Sequence, residues 1–229
     1  MIQLIVAAVV AAASPACPNV VTPEALVCRA LAAQKGGEHE AAAQAFDEAA
    51  NASPEKDPKT ARLFAAAGNM WIAADKPGKA ALSLDRALAL PGLQAEHRGE
   101  ALLDRARAAE AQNDLKTARA KLNEAVQTIS EDPFYWYFSA ALAIREGDKA
   151  TAKSAIGKAL TLAPSDPTIL FEAGHVADFN GDEAQARSYW TRAASSDPNG
   201  PAGKAAAKAI EMLGVTPSVK NETAAPKKN

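Results

Sequence analysis

The sequence predicts an all-α chain of about five stacked helical hairpins followed by one further helix, and three observations predict it. A turn residue followed by a patterned helix recurs five times, the apolar residues of each copy share one helical face, and Pro or Gly separates most copies. The turn residues are 34 or 38 residues apart: Gly37, Asp75, Asn113, Gly147 and Gly181. A two-helix unit of this length buries its apolar face only against neighbouring units, so we expect an α-solenoid.

The helix after each turn carries small residues around one bulky residue. Gly, Asp and Asn tolerate the left-handed conformation that a helix end requires, so every copy has a workable turn. Alanines then recur seven residues apart, with one bulky apolar residue between them on the same face. The bulky residues are Phe46, Leu84, Leu122, Ile156 and Trp190. We expect the alanines to allow close helix contact and the bulky residues to fill the remaining gap.

The helix before each turn has a complementary pattern. A bulky residue is followed four positions later by a small one in each copy. The pairs are Leu26 and Ala30, Phe64 and Gly68, Leu102 and Ala106, Trp136 and Ala140, and Leu170 and Gly174. The copies end at Pro54, Gly92, Pro164 and Pro198, whereas the third copy has Ser130 and is followed by Pro133. These breakers separate one hairpin from the next.

At these positions the chain resembles the tetratricopeptide repeat family over about residues 23 to 200. The fourth copy carries the family pattern most fully, at Trp136, Ala140, Gly147, Ala152, Ile156, Ala159 and Pro164. The predicted repeats are 23–56, 61–94, 99–132, 133–166 and 167–200. The resemblance implies a right-handed superhelix whose concave groove is lined by the first helix of each pair.

The two ends of the chain differ from the repeats. Residues 2–13 are almost entirely apolar and are followed by Ser14, Pro15 and Ala16, which predicts a signal peptide over 1–16, cut after Ala13 or Ala16. No Lys or Arg precedes this run, which departs from the usual signal. The run is also shorter than the roughly 20 residues of a membrane span. At the other end we predict a capping helix at 201–214, whose polar face makes the end of the solenoid soluble. A disordered tail is predicted at 215–229.

The cysteines support an exported protein of the periplasm. Cys17 and Cys28 are the only two in the chain, and a pair in an exported protein predicts a disulfide. One alternative makes Cys28 a buried small residue. Another makes Cys17 a lipidated N-terminus, although Ser14 and Pro15 fit the lipoprotein pattern poorly.

Composition and motifs argue against several functions. A net charge of −2 gives no long-range attraction for nucleic acid or anionic lipid. His39, His97 and His175 lie in different repeats, and none has a second ligand at metal-binding spacing. No phosphate-binding glycine loop or nucleophile elbow is present in the sequence. We therefore predict no enzyme activity, no cofactor and no metal.

Projection of the first helices onto the concave face predicts a groove that binds a partner. The last two repeats contribute an aromatic strip with polar edges: Phe134, Tyr137, Ile144, Arg145, Phe171, His175, Asp178 and Phe179. Asn69 and Arg107 lie on the same face of earlier repeats. Exposed aromatic residues of this kind anchor peptides or amphipathic helices. Whether Phe134 and Phe179 pack instead on the adjacent helix is left open by the sequence.

Together these features predict a non-catalytic periplasmic scaffold that binds a peptide or partner protein in its groove. Envelope assembly is one process that such a scaffold would serve. The alternative is a lipid-anchored structural component of an envelope or secretion complex, with the groove buried in a permanent assembly. The repeat pattern does not encode the identity of the partner.

Overall fold

The structure is a computed structural model that describes residues 17–213, and these residues form eleven α-helices and no strand. The predicted all-α class and its helical hairpins are confirmed. The predicted signal peptide at 1–16, residue 214 and the predicted tail at 215–229 lie outside the described residues. The chain divides into two compact units, Met1–Gln94 and Ala95–Asn229, a division that the sequence did not suggest.

The first unit contains two hairpins. Its helices are α1 (Pro23–Lys35), α2 (His39–Ala52), α3 (Pro58–Ala73) and α4 (Pro77–Ala89). Each helix packs against the next, and the contact between α2 and α3 joins the two hairpins. Phe64 of α3 is buried between Ala50 of α2 and Ala87 of α4. The small residues therefore make room for one large ring, as the sequence pattern predicts.

The second unit contains three hairpins and one further helix. Its helices are α5 (Ala95–Ala111), α6 (Leu115–Ile129), α7 (Pro133–Glu146), α8 (Lys149–Leu162), α9 (Pro167–Asn180), α10 (Glu183–Ser196) and α11 (Pro201–Leu213). The first helices of successive hairpins are neighbours, since α5 contacts α7 and α7 contacts α9. The final helix, α11, packs on α9 and α10. The side-by-side first helices form the face on which the sequence predicts a groove.

All five predicted turn residues adopt the left-handed conformation. The φ angles are 76° at Gly37, 56° at Asp75, 62° at Asn113, 76° at Gly147 and 88° at Gly181. Asp75 and Asn113 are the only described residues other than glycine with positive φ. Their short polar side chains tolerate this region better than other side chains do.

The predicted bulky residues of the second helices are all buried, each no more than 6 % exposed. The fifth hairpin shows why small residues face them. A Cβ atom at Gly174 would lie 2.1 Å from Nε1 of Trp190, so the indole occupies space that only glycine leaves free. Trp190 also donates a hydrogen bond from Nε1 to the carbonyl of Phe171, at 3.0 Å.

The first helix of the fourth hairpin differs from the prediction. Trp136, expected as its buried bulky residue, is only half-buried, and its neighbour Tyr135 is 4 % exposed instead. The Tyr135 hydroxyl donates to the carbonyl of Leu122, at 3.2 Å, whereas the Trp136 indole donates to the carbonyl of Ser130, at 2.6 Å. Each ring has a polar atom that needs a partner, and these two carbonyls decide which ring enters the core.

Aspartate caps mark the starts of α3, α7 and α9, of which the last two coincide with the predicted repeat starts at 133 and 167. Asp57, Asp132 and Asp166 each precede a proline at the first helical position and accept hydrogen bonds from backbone N–H groups of the first turn. As a result α3 begins at Pro58, three residues before the predicted repeat start at 61. Helix α5 likewise begins at Ala95, before the predicted start at 99.

The segment before α1 is tied to that helix. Cys17 and Cys28 form a disulfide in the structure, and their Cα atoms are 5.7 Å apart. The Arg29 guanidinium donates to the carbonyls of Pro18 and Val20, at 2.9 and 3.1 Å. Among the described helices, none has the length and apolar character needed to cross a bilayer.

Candidate functional site

The candidate site is a groove on α7 and α9 of the second unit. It contains a cavity of about 360 Å³. The cavity is lined by Ala141, Ile144, Glu172, His175, Asp178 and Phe179. Four of these residues belong to the predicted groove set, so the fold brings Ile144, His175, Asp178 and Phe179 together.

Further aromatic rings lie on the two helices that line the cavity. Phe134 is 47 % exposed, and its ring lies edge-on to Tyr137 with the ring centres 6.4 Å apart. On α9 the ring centres of Phe171 and His175 are 4.3 Å apart, and His175 lies 5.7 Å from buried Trp190. The rings of Tyr137, Phe171 and His175 are half-buried, so each combines a fixed position with an accessible edge.

The two rings whose packing was left open by the sequence differ. Phe179 is half-buried against the core formed by α7, α8 and α9, and the Lys149 ammonium lies 5.4 Å from its ring centre. Phe134 keeps nearly half of its surface exposed. Phe179 therefore forms part of the cavity wall, whereas Phe134 is largely accessible to solvent and contacts Tyr137.

A buried carboxylate lies in the same cavity. Glu172 is only 7 % exposed, and its Oε2 lies 3.3 Å from Nδ1 of His175 on the next turn of α9. Burial raises the pKa of the Tyr137 phenol, and the negative charge of Glu172 raises it further. Glu172 was not among the predicted site residues. Its position three residues before His175 puts both on one face of the helix, a spacing that was available in the sequence.

The predicted arginines are held on the side of the groove nearer α5. Arg145 donates to the carbonyl and the carboxylate of Glu110 and, at 2.8 Å, to Oδ1 of Asn113. Arg107 pairs with Asp104 at 2.8 Å, one turn earlier on its own helix. These contacts join the end of α5 to α7 and give Arg145 a structural role that the sequence did not indicate.

Asn69, the remaining predicted residue, is exposed on α3 in the first unit and does not belong to this cavity. Within residues 17–213, no group of three or more His, Cys, Asp or Glu side chains could hold a metal ion. The groove therefore offers apolar surface, aromatic edges and carboxylates. These are groups that bind side chains and do not by themselves suggest a reaction.

Comparison with known proteins supports this description of the fold. The family model of the tetratricopeptide repeat matches residues 135–166, which span α7 and α8. No curated protein sequence matches the chain significantly.

Several solved structures share the architecture at low sequence identity. PilW, titled a widely conserved type IV pilus biogenesis factor, is 18 % identical with a TM-score of 0.67, over 80 % of this chain and 81 % of its own. PilF of Pseudomonas aeruginosa is 16 % identical with a TM-score of 0.63, over 80 % of both chains. YrrB, titled a TPR protein with an unusual peptide-binding site, is 18 % identical with a TM-score of 0.58, over 82 % of this chain and 91 % of its own.

These matches define the class of protein. Residues 135–166 are a tetratricopeptide repeat, and the chain has the fold of tetratricopeptide repeat proteins. The resemblance predicted from the sequence is confirmed.

Proposed function

We propose that this chain is a non-catalytic interaction scaffold whose α7–α9 groove binds a peptide or an extended segment of a partner protein. The observation that carries the proposal is the cavity of about 360 Å³, which lies on the two helices that also carry partly exposed aromatic rings. The titles of the similar structures are consistent with such a role, because one names a peptide-binding site and another a pilus biogenesis factor.

The aromatic residues of the groove are suited to anchoring a partner. Only 5 % of the chain is aromatic, yet Phe134, Tyr137, Phe171 and Phe179 gather on two adjacent helices. Burial of a few such rings supplies most of the free energy in many interfaces. A side chain of the partner placed in the cavity would contact the apolar surfaces of Ile144 and Phe179.

We place the protein in the periplasm after removal of a signal peptide, with envelope assembly as the process that it serves. The apolar run at 2–13 and the disulfide between Cys17 and Cys28 support this location, because disulfides persist in oxidising compartments. The disulfide also bears on the lipid-anchored alternative. Lipidation of Cys17 would need the same Sγ atom that the disulfide uses, so the two states exclude each other, and we propose the disulfide form.

The groove is tested by blocking its cavity. Ala141→Arg places a long charged side chain among the lining residues, and Ala120→Arg makes the same change on the exposed surface of α6. Tagged full-length proteins are crosslinked in their native envelope and purified, and the captured partners are compared by mass spectrometry. We expect a partner that is captured by wild type and Ala120→Arg and lost from Ala141→Arg. Equal capture by all three proteins would contradict the groove.

The location is tested by the mass of the mature protein from fractionated cells. We expect a chain that begins at Ser14 or Cys17 and resists thiol alkylation until a reductant is added. A mass increase that corresponds to acyl chains on Cys17 would establish the lipid-anchored alternative instead. A full-length mass in the cytoplasmic fraction would refute export.

A further inference from the structure

The geometry points to a specific ligand chemistry: the cavity between α7 and α9 takes a basic side chain, lysine or arginine, of the bound peptide. This inference rests on the proposed function and adds the class of residue that the groove selects. Glu172 and Asp178 supply the negative charge, and the rings and aliphatic side chains around them supply a binding surface for the stem of the basic residue.

The first argument is the balance of charge in the cavity. Two of its six lining residues are carboxylates, and the only lining residue that can carry a positive charge is His175. Glu172 is more than nine-tenths buried, and a buried carboxylate is costly unless it is paired or hydrogen-bonded. Oε2 of Glu172 lies 3.3 Å from Nδ1 of the His175 imidazole, and the second carboxylate of the cavity, that of Asp178, is exposed.

The second argument is that the nearby arginines already have partners. Arg145 donates to the carboxylate of Glu110, and Arg107 pairs with Asp104. The positive charge on this side of the groove is therefore largely neutralised. A cation that enters with a ligand would form charge-assisted hydrogen bonds with the two carboxylates of the cavity, which are stronger than bonds between neutral groups.

The third argument is the nature of the walls. Lysine and arginine carry an apolar stem below the charged group and bury it along apolar surface. Ala141 and Ile144 offer such a surface from α7. The Phe179 ring, which also lines the cavity, already lies 5.4 Å from the Lys149 ammonium, so this ring accepts a cation within the chain itself.

An acidic ligand would not fit the same groups. A carboxylate in the cavity would lie beside Glu172 and Asp178, and like charges that are placed together are strongly unfavourable. A wholly apolar side chain would leave the buried Glu172 carboxylate without a new partner after water is excluded. A basic side chain is the class that satisfies both the charge and the shape.

The experiment is selection of random octapeptides, displayed on phage, on the immobilised full-length chain. The proteins compared are wild type, Glu172→Gln, Asp178→Lys and Ala141→Arg, with Glu183→Lys as a matched charge reversal at an exposed position of α10. The measured quantity is the ratio of Lys and Arg to Asp and Glu in the retained peptides, relative to the input library.

We expect basic residues to be enriched on wild type and on Glu183→Lys, and the enrichment to be lost on Asp178→Lys and Ala141→Arg. One selected peptide is then synthesised with its enriched lysine and with norleucine in its place. We expect the norleucine peptide to bind wild type about tenfold more weakly, as loss of one charge-assisted contact implies. Glu172→Gln should discriminate between the two peptides less than wild type does, because only the Asp178 carboxylate remains to bind the lysine. Asp178 is exposed, so Asp178→Lys keeps the experiment decisive even if Glu172→Gln fails to fold.

The outcomes separate the two proposals. Peptides that are retained on wild type and lost from Ala141→Arg, but without basic enrichment, would overturn the basic-residue inference and leave the groove function intact. Peptides that are retained equally on Ala141→Arg would overturn both. If wild type retains no peptide, the basic-residue inference falls, and the crosslinking comparison alone decides the groove function.

Discussion

The two units use their aromatic residues differently. In the first unit Phe46, Phe64 and Trp71 are all buried, between 2 and 6 % exposed. The second unit buries Tyr135 and Trp190 but leaves the other aromatic rings of α7 and α9 at least partly exposed, among them Phe134, Tyr137, Phe171 and Phe179. The same repeat pattern therefore serves stability in one unit and, in our proposal, recognition in the other. The difference lies in residues other than the turn residues and the bulky and small residues that define the repeat. The fold does not restrict the residue type at those other positions.

Two carboxylates, half-buried Asp47 of the first unit and buried Glu172 of the second, show the same contrast. Asp47 of the first unit accepts hydrogen bonds from Nε1 of Trp71, at 2.7 Å, and from the hydroxyl of Ser83, at 2.8 Å. It thereby connects α2, α3 and α4. Glu172 of the second unit lies 3.3 Å from His175 on its own helix and lines an open cavity. Asp47 therefore accepts hydrogen bonds from two other helices, whereas in our proposal Glu172 also meets a ligand.

The largest expected effect is on stability, from Phe64→Ala in the first unit. Removal of this ring leaves a cavity between α2, α3 and α4, and we expect a loss of about 3–5 kcal/mol in the free energy of unfolding. The paired change Phe134→Ala, at an exposed ring, should alter stability by about 0.5 kcal/mol or less. Urea denaturation followed by circular dichroism measures both. A loss from Phe134→Ala as large as that from Phe64→Ala would make Phe134 structural and weaken its assignment to the groove.

The contrast also shows what the sequence could and could not predict. The turns at Asp75 and Asn113 and the pairing of Gly174 with Trp190 were predictable, because backbone conformation and close packing restrict the residue types allowed there. The choice of Tyr135 over Trp136 for the core was not, since it depends on carbonyls of other segments that fold nearby. The burial of Glu172 and the pairing of Arg145 with Glu110 were not predictable for the same reason. A charged residue on a helix is usually solvated, and only tertiary contacts show which one is buried or paired.

The disulfide distinguishes the units further, because both cysteines lie in the first. Cys17→Ser with Cys28→Ser opens a loop of about a dozen residues, and the chain-entropy estimate gives a loss of about 2–3 kcal/mol. Hydrogen exchange should localise the loss to α1 and the segment before it. The groove in the second unit should bind its partner as before. Reduced partner capture by the double variant would show that the groove depends on the first unit.

Asp47→Ala is expected to have a smaller effect. It removes the acceptor of Trp71 and Ser83, both of which are buried, and unsatisfied donors of this kind cost about 1–3 kcal/mol. Asp178→Ala is the matched change in the groove, where the carboxylate is exposed, and it should leave the midpoint of urea denaturation nearly unchanged while it weakens the binding of basic peptides. If Asp178→Ala also shifted the midpoint, its carboxylate would belong to the fold and not to ligand recognition.

The smallest expected effect concerns the N-terminal caps of the second helices, which also differ between the units. In the first unit α2 and α4 begin without a side-chain cap, whereas in the second α6, α8 and α10 begin with a capping aspartate. A hydrogen bond from the Thr151 hydroxyl, together with one from its backbone N–H, lowers the pKa of Asp148 below its ordinary value. Because the folded pKa is lowered, the stabilisation is present above the unfolded pKa of about 3.9 and is lost as the pH falls through the folded value.

Thr151→Val removes the hydroxyl donor and keeps the backbone donor. We therefore expect the pKa of Asp148 to rise towards its ordinary value, as measured by NMR titration of the carboxyl carbon. The pKa of Asp114, which is lowered in the same way by Thr117, should not move and serves as the internal control. An unchanged pKa of Asp148 would assign its shift to the backbone N–H alone. In that case the cap would depend on the backbone of the helix terminus. The hydroxyl of Thr151 would then not contribute to the loss of stability at low pH.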